Sequence, residues 1–229
     1  MLMKLNNIGD SGVVCDFGDE VNQLINDNVI KLFQYIKKEV AIGHIQGILN
    51  FTPSYNKLII SFDPTITNTK NILDFLNSVD FSKLNSALDR KEWTVPICYD
   101  FEIDLTYISK KLKIDRNDII KIHSKTTFYI YMIGFVPGHP FMGDLDPKLY
   151  LNRLETPRVK VPAGSVGIVE KFCNIYPYES PGGWNIIGRT PIKLFNNKNE
   201  SQPCLLSPGD KIKFKSISKE EFNNFKNEQ

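Results

Sequence analysis

Apolar positions alternate at Val13, Cys15 and Phe17, which predicts a strand. They then recur every three or four residues at Val21, Leu24, Ile25, Val29, Leu32, Phe33, Ile36 and Val40. That spacing predicts an amphipathic helix, with Asp19 as its cap. Ile45 to Phe51 and Lys57 to Phe62 are short β-like runs, and the Thr52-Pro53-Ser54-Tyr55-Asn56 turn chemistry between them predicts a hairpin. Thr69 reads as the cap of a second helix built on Ile72, Leu73, Leu76 and Val79. The order β-α-β-β-α is that of a small ferredoxin-like α/β unit. Residues 80–91 lose the periodicity, and the boundary is placed there, giving domains 1–85 and 86–229.

The second part opens with a strand facing Trp93, Val95, Ile97 and Tyr99 one way. Two short helices follow, Leu105 to Leu112 and Asn117 to about His123 after Asp115. Phe128 to Phe135 is nearly all apolar and reads as a buried strand. The stretch from Gly134 to Pro191 then holds 8 of the 14 glycines and 8 of the 13 prolines. Interleaved aromatics argue against disorder, so it reads as specific ordered loops, which are usually functional. Short strands between them, such as Ser165 to Val169 and Trp184 to Ile187, suggest a β-barrel. A last strand, Lys211 to Lys215, and a polar, fraying tail after Ser218 complete the chain. The fold class is α+β.

Composition narrows the functional classes. With 41% apolar and 24% charged residues among 229, this is an ordinary globular composition. No apolar run approaches a membrane span, and Met1 to Asn7 lacks the apolar core of a signal peptide, so a cytoplasmic protein is expected. The net charge is +2, the acidic residues are interspersed and no run of five basic residues exists, which argues against nucleic acid. Cys15, Cys98, Cys173 and Cys204 are far apart without a CxxC pair, so free thiols and no metal site are expected.

Lysine outnumbers arginine 23 to 5, yet Arg153, Arg158 and Arg189 all fall in the Gly/Pro-rich stretch. Lysine cannot replace arginine where a planar fork binds a carboxylate or phosphate. For Arg158 and Arg189, anion binding and loop tethering stay open, while Arg153 reads as structural. The small-residue runs Pro162-Ala163-Gly164-Ser165-Val166-Gly167 and Ser180-Pro181-Gly182-Gly183-Trp184 could cradle an oxyanion or simply turn tightly. There is no phosphate-binding P-loop, no GxGxxG and no GxSxG. His123 reads either as a general base or as a satisfied buried histidine. His139 reads as exposed in its loop, without an assigned role, and His44 as a surface residue.

In order along the chain, Gly134-Phe135-Val136-Pro137-Gly138-His139-Pro140-Phe141-Met142-Gly143, Thr156-Pro157-Arg158, Val161 to Ile168, Tyr176-Pro177, Ser180 to Trp184 and Ile187-Gly188-Arg189-Thr190-Pro191 resemble the family of the 5-oxoprolinase B subunit. That family is also called allophanate hydrolase subunit 1 or kinase-A-inhibitor-like. Gly9-Asp10-Ser11 is similar to the family's opening strand. The family usually carries an apolar residue in place of His139 and often glycine in place of Asp144. The resemblance implies a small N-terminal α/β domain and a cyclophilin-like β-barrel. It implies two partners: a 5-oxoprolinase C subunit, carrying a second such barrel, and an A subunit. Together they would open 5-oxo-L-proline to L-glutamate with ATP bound at the level of the complex. Paired barrels of this kind resemble the carboxyltransferase domain of urea carboxylase. The implied site has His123 and Arg158 as catalytic groups. Its substrate- or anion-binding groups are Phe135, Pro137 and Gly138 in one loop, Pro162, Gly164 and Ser165 in the next, then Tyr176, Ser180, Gly182, Gly183, Trp184 and Arg189. Two other functions compete: a regulator that inhibits a sensor histidine kinase, and half of a biotin-dependent carboxyltransferase. The chain lacks a Met-Lys-Met biotin acceptor. Phe141, Tyr178 and Trp184 are expected to be exposed for a partner protein.

Overall fold

The computed structural model describes residues 3–84 and 88–227, in two compact units, residues 1–89 and 90–229. The expected boundary between residues 85 and 86 lies outside the described residues.

In the first unit, strand β1 (Lys4–Ile8) precedes the expected strand β2 (Gly12–Asp16). Gly9-Asp10-Ser11 forms the turn between them and not a strand. Helix α1 (Gln23–Ala41) follows, then β3 (Ile48–Pro53), β4 (Lys57–Phe62) and α2 (Thr69–Asn77). The caps are asparagines and not the expected residues. Asn22 accepts from the Ile25 amide at 2.9 Å, and Asn68 accepts from the Asn71 amide at 3.0 Å. Asp19 is exposed and does not cap. The strands lie in the order β1-β2-β4-β3, all antiparallel. Thus β2, α1 and β3 form a split β-α-β around β4, and the N-terminal β1 takes the remaining edge. Leu58, Ile60 and Phe62 of β4 pack with Val29, Leu32 and Ile36 of α1 and with Ile72 and Leu76 of α2. The buried Asn26 amide reaches back to the Ser54 and Tyr55 carbonyls at 2.9 and 2.8 Å, fixing α1 on the hairpin turn.

The second unit begins with β5 (Glu92–Ile97), α3 (Leu105–Leu112), α4 (Arg116–Lys125) and β6 (Thr127–Ile133). Asp115 caps α4. Strand β6 stops two residues short of expectation because Phe135 turns left-handed, at φ +69°. The Gly/Pro-rich stretch carries β7 (Pro140–Gly143), β8 (Arg158–Val161), β9 (Ser165–Val169), β10 (Phe172–Ile175), β11 (Ser180–Gly182) and β12 (Asn185–Arg189). Strand β13 (Lys211–Ser216) and helix α5 (Lys219–Asn227) close the unit. Seven strands form one sheet in the order β12-β9-β10-β7-β6-β13-β5, and β8 pairs with β11 beside it. The sheet curls until its two edges touch. Cys98, just after β5, and Arg189, ending β12, exchange hydrogen bonds of 2.8 and 2.9 Å. Asp210, 4% exposed, pins the seam between β5 and β13 by accepting from the Lys91 amide and the Trp93 indole, both at 2.9 Å. Cys15, Cys98, Cys173 and Cys204 are free.

His123 lies wholly inside this core. Its Nδ1 meets the Tyr99 hydroxyl at 2.8 Å, and its ring stacks on Phe214 at 4.8 Å. Burial pulls its pKa down to about 3. Between about pH 6.5 and 3 the unfolded chain takes up a proton here that the folded chain refuses, so this contribution to stability is whole above pH 6.5 and is lost on acidification. Tm should therefore decline as pH falls through that window. In His123→Phe the decline should be shallower, even if Tm is lower throughout. An equal acid slope in both proteins would contradict this account.

Candidate functional site

The loop after β6, the β10 end and the turn before β12 converge on a cavity of about 210 Å³. Its wall comprises Phe135, His139, Phe141, Arg153, Asn174, Tyr176, Pro181, Gly182 and Trp184. Aromatic rings set its shape. His139 stacks on Phe141 with centroids 4.7 Å apart and planes 9° apart, and meets Tyr176 edge-on at 5.1 Å. Phe141 meets Trp184 at 6.0 Å. These contacts leave Phe141 and Trp184 half-buried, so that of the three aromatics expected at the surface only Tyr178 is exposed. Phe135 stands at the rim, 73% exposed, with its ring edge-on to His139. A bulky residue in left-handed backbone is costly, by about 1–3 kcal/mol, and such strain concentrates at functional sites.

His139 is not exposed, as loop position suggested, but 1% accessible. The Asn174 amide donates to its Nε2 at 3.0 Å, so Nε2 accepts and the ring proton sits on Nδ1. That Nδ1 is buried without a protein partner, as is Asn174 Oδ1. Burial pulls the imidazole down to about 4, so the ring is neutral near pH 7. Burial also raises the Tyr176 phenol, against the pull of the Asn174 side chain and of Arg153. The phenol needs Gly182, where a Cβ would come within 2.3 Å of its oxygen.

The three arginines divide differently from expectation. Arg158 is not in an open loop; it begins β8 and pairs with the Asp104 carboxylate, which is 6% exposed. It also donates to the Trp184 carbonyl at 3.3 Å. Arg189 is a strut: it donates to the Ala163 carbonyl at 2.9 Å and lies over Phe101 at 4.9 Å and Phe222 at 5.7 Å. Arg153, read from sequence as structural, is the arginine on the cavity wall. It is exposed and lies against Gly183, and no carboxylate among the described residues pairs with it. The Leu154 amide bonds the Gly183 carbonyl at 2.9 Å and holds that segment in place.

The remaining candidates separate likewise. Phe135, Tyr176, Gly182 and Trp184 reach the cavity. Pro137 and Gly138 share Phe135's loop but do not line the cavity; Gly138 packs on Phe195. In the Pro162–Ser165 turn, two amides are spent within the fold. Gly164, at φ +79°, donates to the Tyr176 carbonyl at 2.7 Å, and Ser165 donates to the Pro162 carbonyl at 3.2 Å. A side chain at Gly164 would meet the Thr190 carbonyl oxygen at 2.2 Å. The turn therefore fits tight packing. Ser180 is half-buried in β11 beside the cavity, its hydroxyl without a partner. His123 is sealed in the core and has no reach to a ligand. No nucleophile–base pair is assembled at the cavity, and no metal-holding group of three His, Cys, Asp or Glu occurs among the described residues. Sequence reasoning missed Phe141 and Asn174, and left His139 without a role. One signal was available: Phe141 sits in the same motif as Phe135 and His139. Asn174 gave none.

This arrangement can bind and orient a small ligand with an anionic group at Arg153 and a flat body between aromatic rings. Asp104 also accepts from the Ile186 amide at 2.6 Å, so its pair with Arg158 is a fold constraint. Asp104→Asn should destabilise the chain by about 3 kcal/mol, as expected for breaking a buried pair. Arg158→Lys, which keeps the charge but loses the fork, should lower Tm as well. Unchanged melting in both would free Arg158 for a ligand role.

The family model for the carboxyltransferase domain, subdomain C and D, matches residues 3–206. The chain is 30% identical to the B subunit of 5-oxoprolinase from Bacillus subtilis, over 98% of this chain and 97% of that protein. It is 26% identical to the urea amidolyase of Saccharomyces cerevisiae, over 94% of this chain but only 13% of that protein. The crystal structure of TTHA0988 superposes with a TM-score of 0.80 at 28% identity, covering 91% of this chain and 40% of that longer one. The chain belongs to the carboxyltransferase-domain family, among the 5-oxoprolinase B subunits.

Proposed function

We propose that the chain is one component of an ATP-dependent hydrolase that opens 5-oxo-L-proline to L-glutamate, acting with the A and C subunits of that enzyme in the cytoplasm. The observation that carries this reading is the unpaired Arg153 beside a small aromatic cavity. A five-membered lactam carboxylate is a flat ring with one anionic group, and the wall offers a partner for each part. In this reading the first unit is a ferredoxin-like domain. The second is a cyclophilin-like barrel whose exposed Phe135 and Tyr178 meet the C subunit.

Opening an unstrained amide in water needs coupling, which ATP supplies elsewhere in the complex. The cavity of about 210 Å³ is far too small for a nucleoside triphosphate. Gly164 and Ser165 already spend their amide hydrogens on the Tyr176 and Pro162 carbonyls. This chain therefore binds and orients the substrate, and the phosphoryl step is assigned to a partner. The similarity to urea amidolyase favours a second reading, a carboxyltransferase half acting on urea. Urea would fit the aromatic slot but would leave Arg153 without a counter-ion.

Coexpression with the neighbouring genes and an assay of ATP-dependent glutamate release decides between them. The single chain should be inactive and the assembled complex active on 5-oxoproline. Arg153→Ala in the complex should raise KM by about 10- to 150-fold, the value of a charge-assisted carboxylate contact of about 1.5–3 kcal/mol, and leave Tm unchanged. Turnover of urea with biotin, and none of 5-oxoproline, would establish the second reading. Folded partners that fail to associate would instead favour a regulatory role.

A further inference from the structure

Arg153 lines two depressions, the aromatic cavity and a broader groove of about 760 Å³ between α3 and residues 150–156. Helix α3 brings Tyr107 and Lys111 to the groove, and the segment brings Tyr150, Arg153 and Glu155. All five are exposed. Lys111, Arg153 and Glu155 are the charged groups of the wall, and none of them forms an ion pair among the described residues. Elsewhere on the unit exposed charges do pair, Arg116 with Glu102 at 2.8 Å and Lys160 with Glu179 at 3.1 Å. The stem of Arg153 is seated rather than loose. A Cβ on Gly183 would come within 3.1 Å of its Cγ and 2.7 Å of its Nε. The groove thus presents two cations and one carboxylate, all unanswered, to whatever enters it. Such a pattern is complementary to a ligand with two negative groups and one positive group.

We propose that this groove is a binding site for an acyclic amino dicarboxylate, with Arg153 and Lys111 each answering one carboxylate and Glu155 answering the ammonium. The inference rests on the proposed function and deepens it: the ligand is the ring-opened product. Hydrolysis breaks the lactam C–N bond and joins the water oxygen to the carbonyl carbon, which becomes a second carboxylate. Both protons of that water go to the nitrogen, which becomes an ammonium. The closed ring therefore carries one charge and the opened chain three. Charged groups are costly against aromatic walls, so the opened chain leaves the flat cavity. The hydrated groove takes the two new charges while the first carboxylate keeps Arg153, the residue common to both walls.

The test uses the assembled complex at low ionic strength, where exposed charges are least screened. Four probes are compared by calorimetry: L-glutamate, 5-oxo-L-proline, glutarate, which lacks the ammonium, and L-glutamine, which lacks the second carboxylate. L-Glutamate should bind and should inhibit competitively with 5-oxoproline, because both need Arg153. Lys111→Gln and Glu155→Gln should keep the wild-type Tm. Each should weaken L-glutamate about two- to fivefold, the range of one exposed ion pair, and leave the affinity for 5-oxoproline unchanged. The reversed charge of Lys111→Glu should weaken L-glutamate further. Glutarate should respond to Lys111→Gln and not to Glu155→Gln, and L-glutamine should do the opposite. Equal L-glutamate affinity in wild type and both glutamine variants, inhibition that is not competitive, or no L-glutamate binding overturns the proposal. Turnover of 5-oxoproline whose inhibition by L-glutamate ignores Lys111 and Glu155 would leave the proposed function standing and sink this inference alone. L-Glutamate binding that depends on Lys111 and Glu155, in a complex that does not turn over 5-oxoproline, would do the reverse.

Discussion

The buried carboxylate of Asp104 is the constraint from which the cavity is built. At the start of α3 it accepts from the Ile186 amide of β12 and pairs with Arg158 of β8. Arg158 in turn holds the Trp184 carbonyl. One side chain thus joins a helix and two strands, and fixes the turn that carries Gly182, Gly183 and Trp184. That turn seats Arg153 through Gly183 and receives the Tyr176 phenol over Gly182. A buried charge tolerates this position only because its partners are complete, so the tie is rigid. The rigidity reaches the cavity wall as fixed backbone.

The division of labour among the arginines follows from the same accounting. Each guanidinium has five donors and a geometry that rewards bidentate or stacked contacts. Arg158 and Arg189 spend theirs on Asp104, on carbonyls and on the faces of Phe101 and Phe222. Arg189 also completes the bridge to Cys98 where the curled sheet meets itself. Arg153 alone of the three lines this cavity. Rarity of arginine in a lysine-rich chain was a sound signal that these positions need a planar cation. It could not separate holding the fold from holding a ligand, because that depends on which carboxylate folds up against each one.

Local pattern carried most of the regular structure. Helix α3 and strand β9 begin and end where their periodicity does. The caps shifted because Asn22 and Asn68, not Asp19 and Thr69, present an oxygen to the third amide of the helix. Strands β1, β7, β8, β10 and β11 were not legible. They are three to five residues long, two of them (β7 and β11) contain Pro and Gly, and they are stabilised by neighbours elsewhere in the chain. The site suffered for the same reason. Phe135, Tyr176, Gly182 and Trp184 belong to recognisable motifs, whereas Asn174 matters only because β10 lies beside β7 and brings it to His139. His139 looked exposed because its loop is rich in glycine and proline; the aromatic stack that buries it is tertiary.

His139 and Arg153, both on the cavity wall, differ in how far they are desolvated in the folded chain. The His139 Nδ1 has already lost its water in the folded chain, so that cost is part of folding. Arg153 is still hydrated, and its contact with a carboxylate strengthens only as the ligand and its surroundings displace that water. A ligand lacking the carboxylate forgoes an interaction that was never pre-organised. Phe135, in left-handed backbone, stands exposed at the rim of the same cavity.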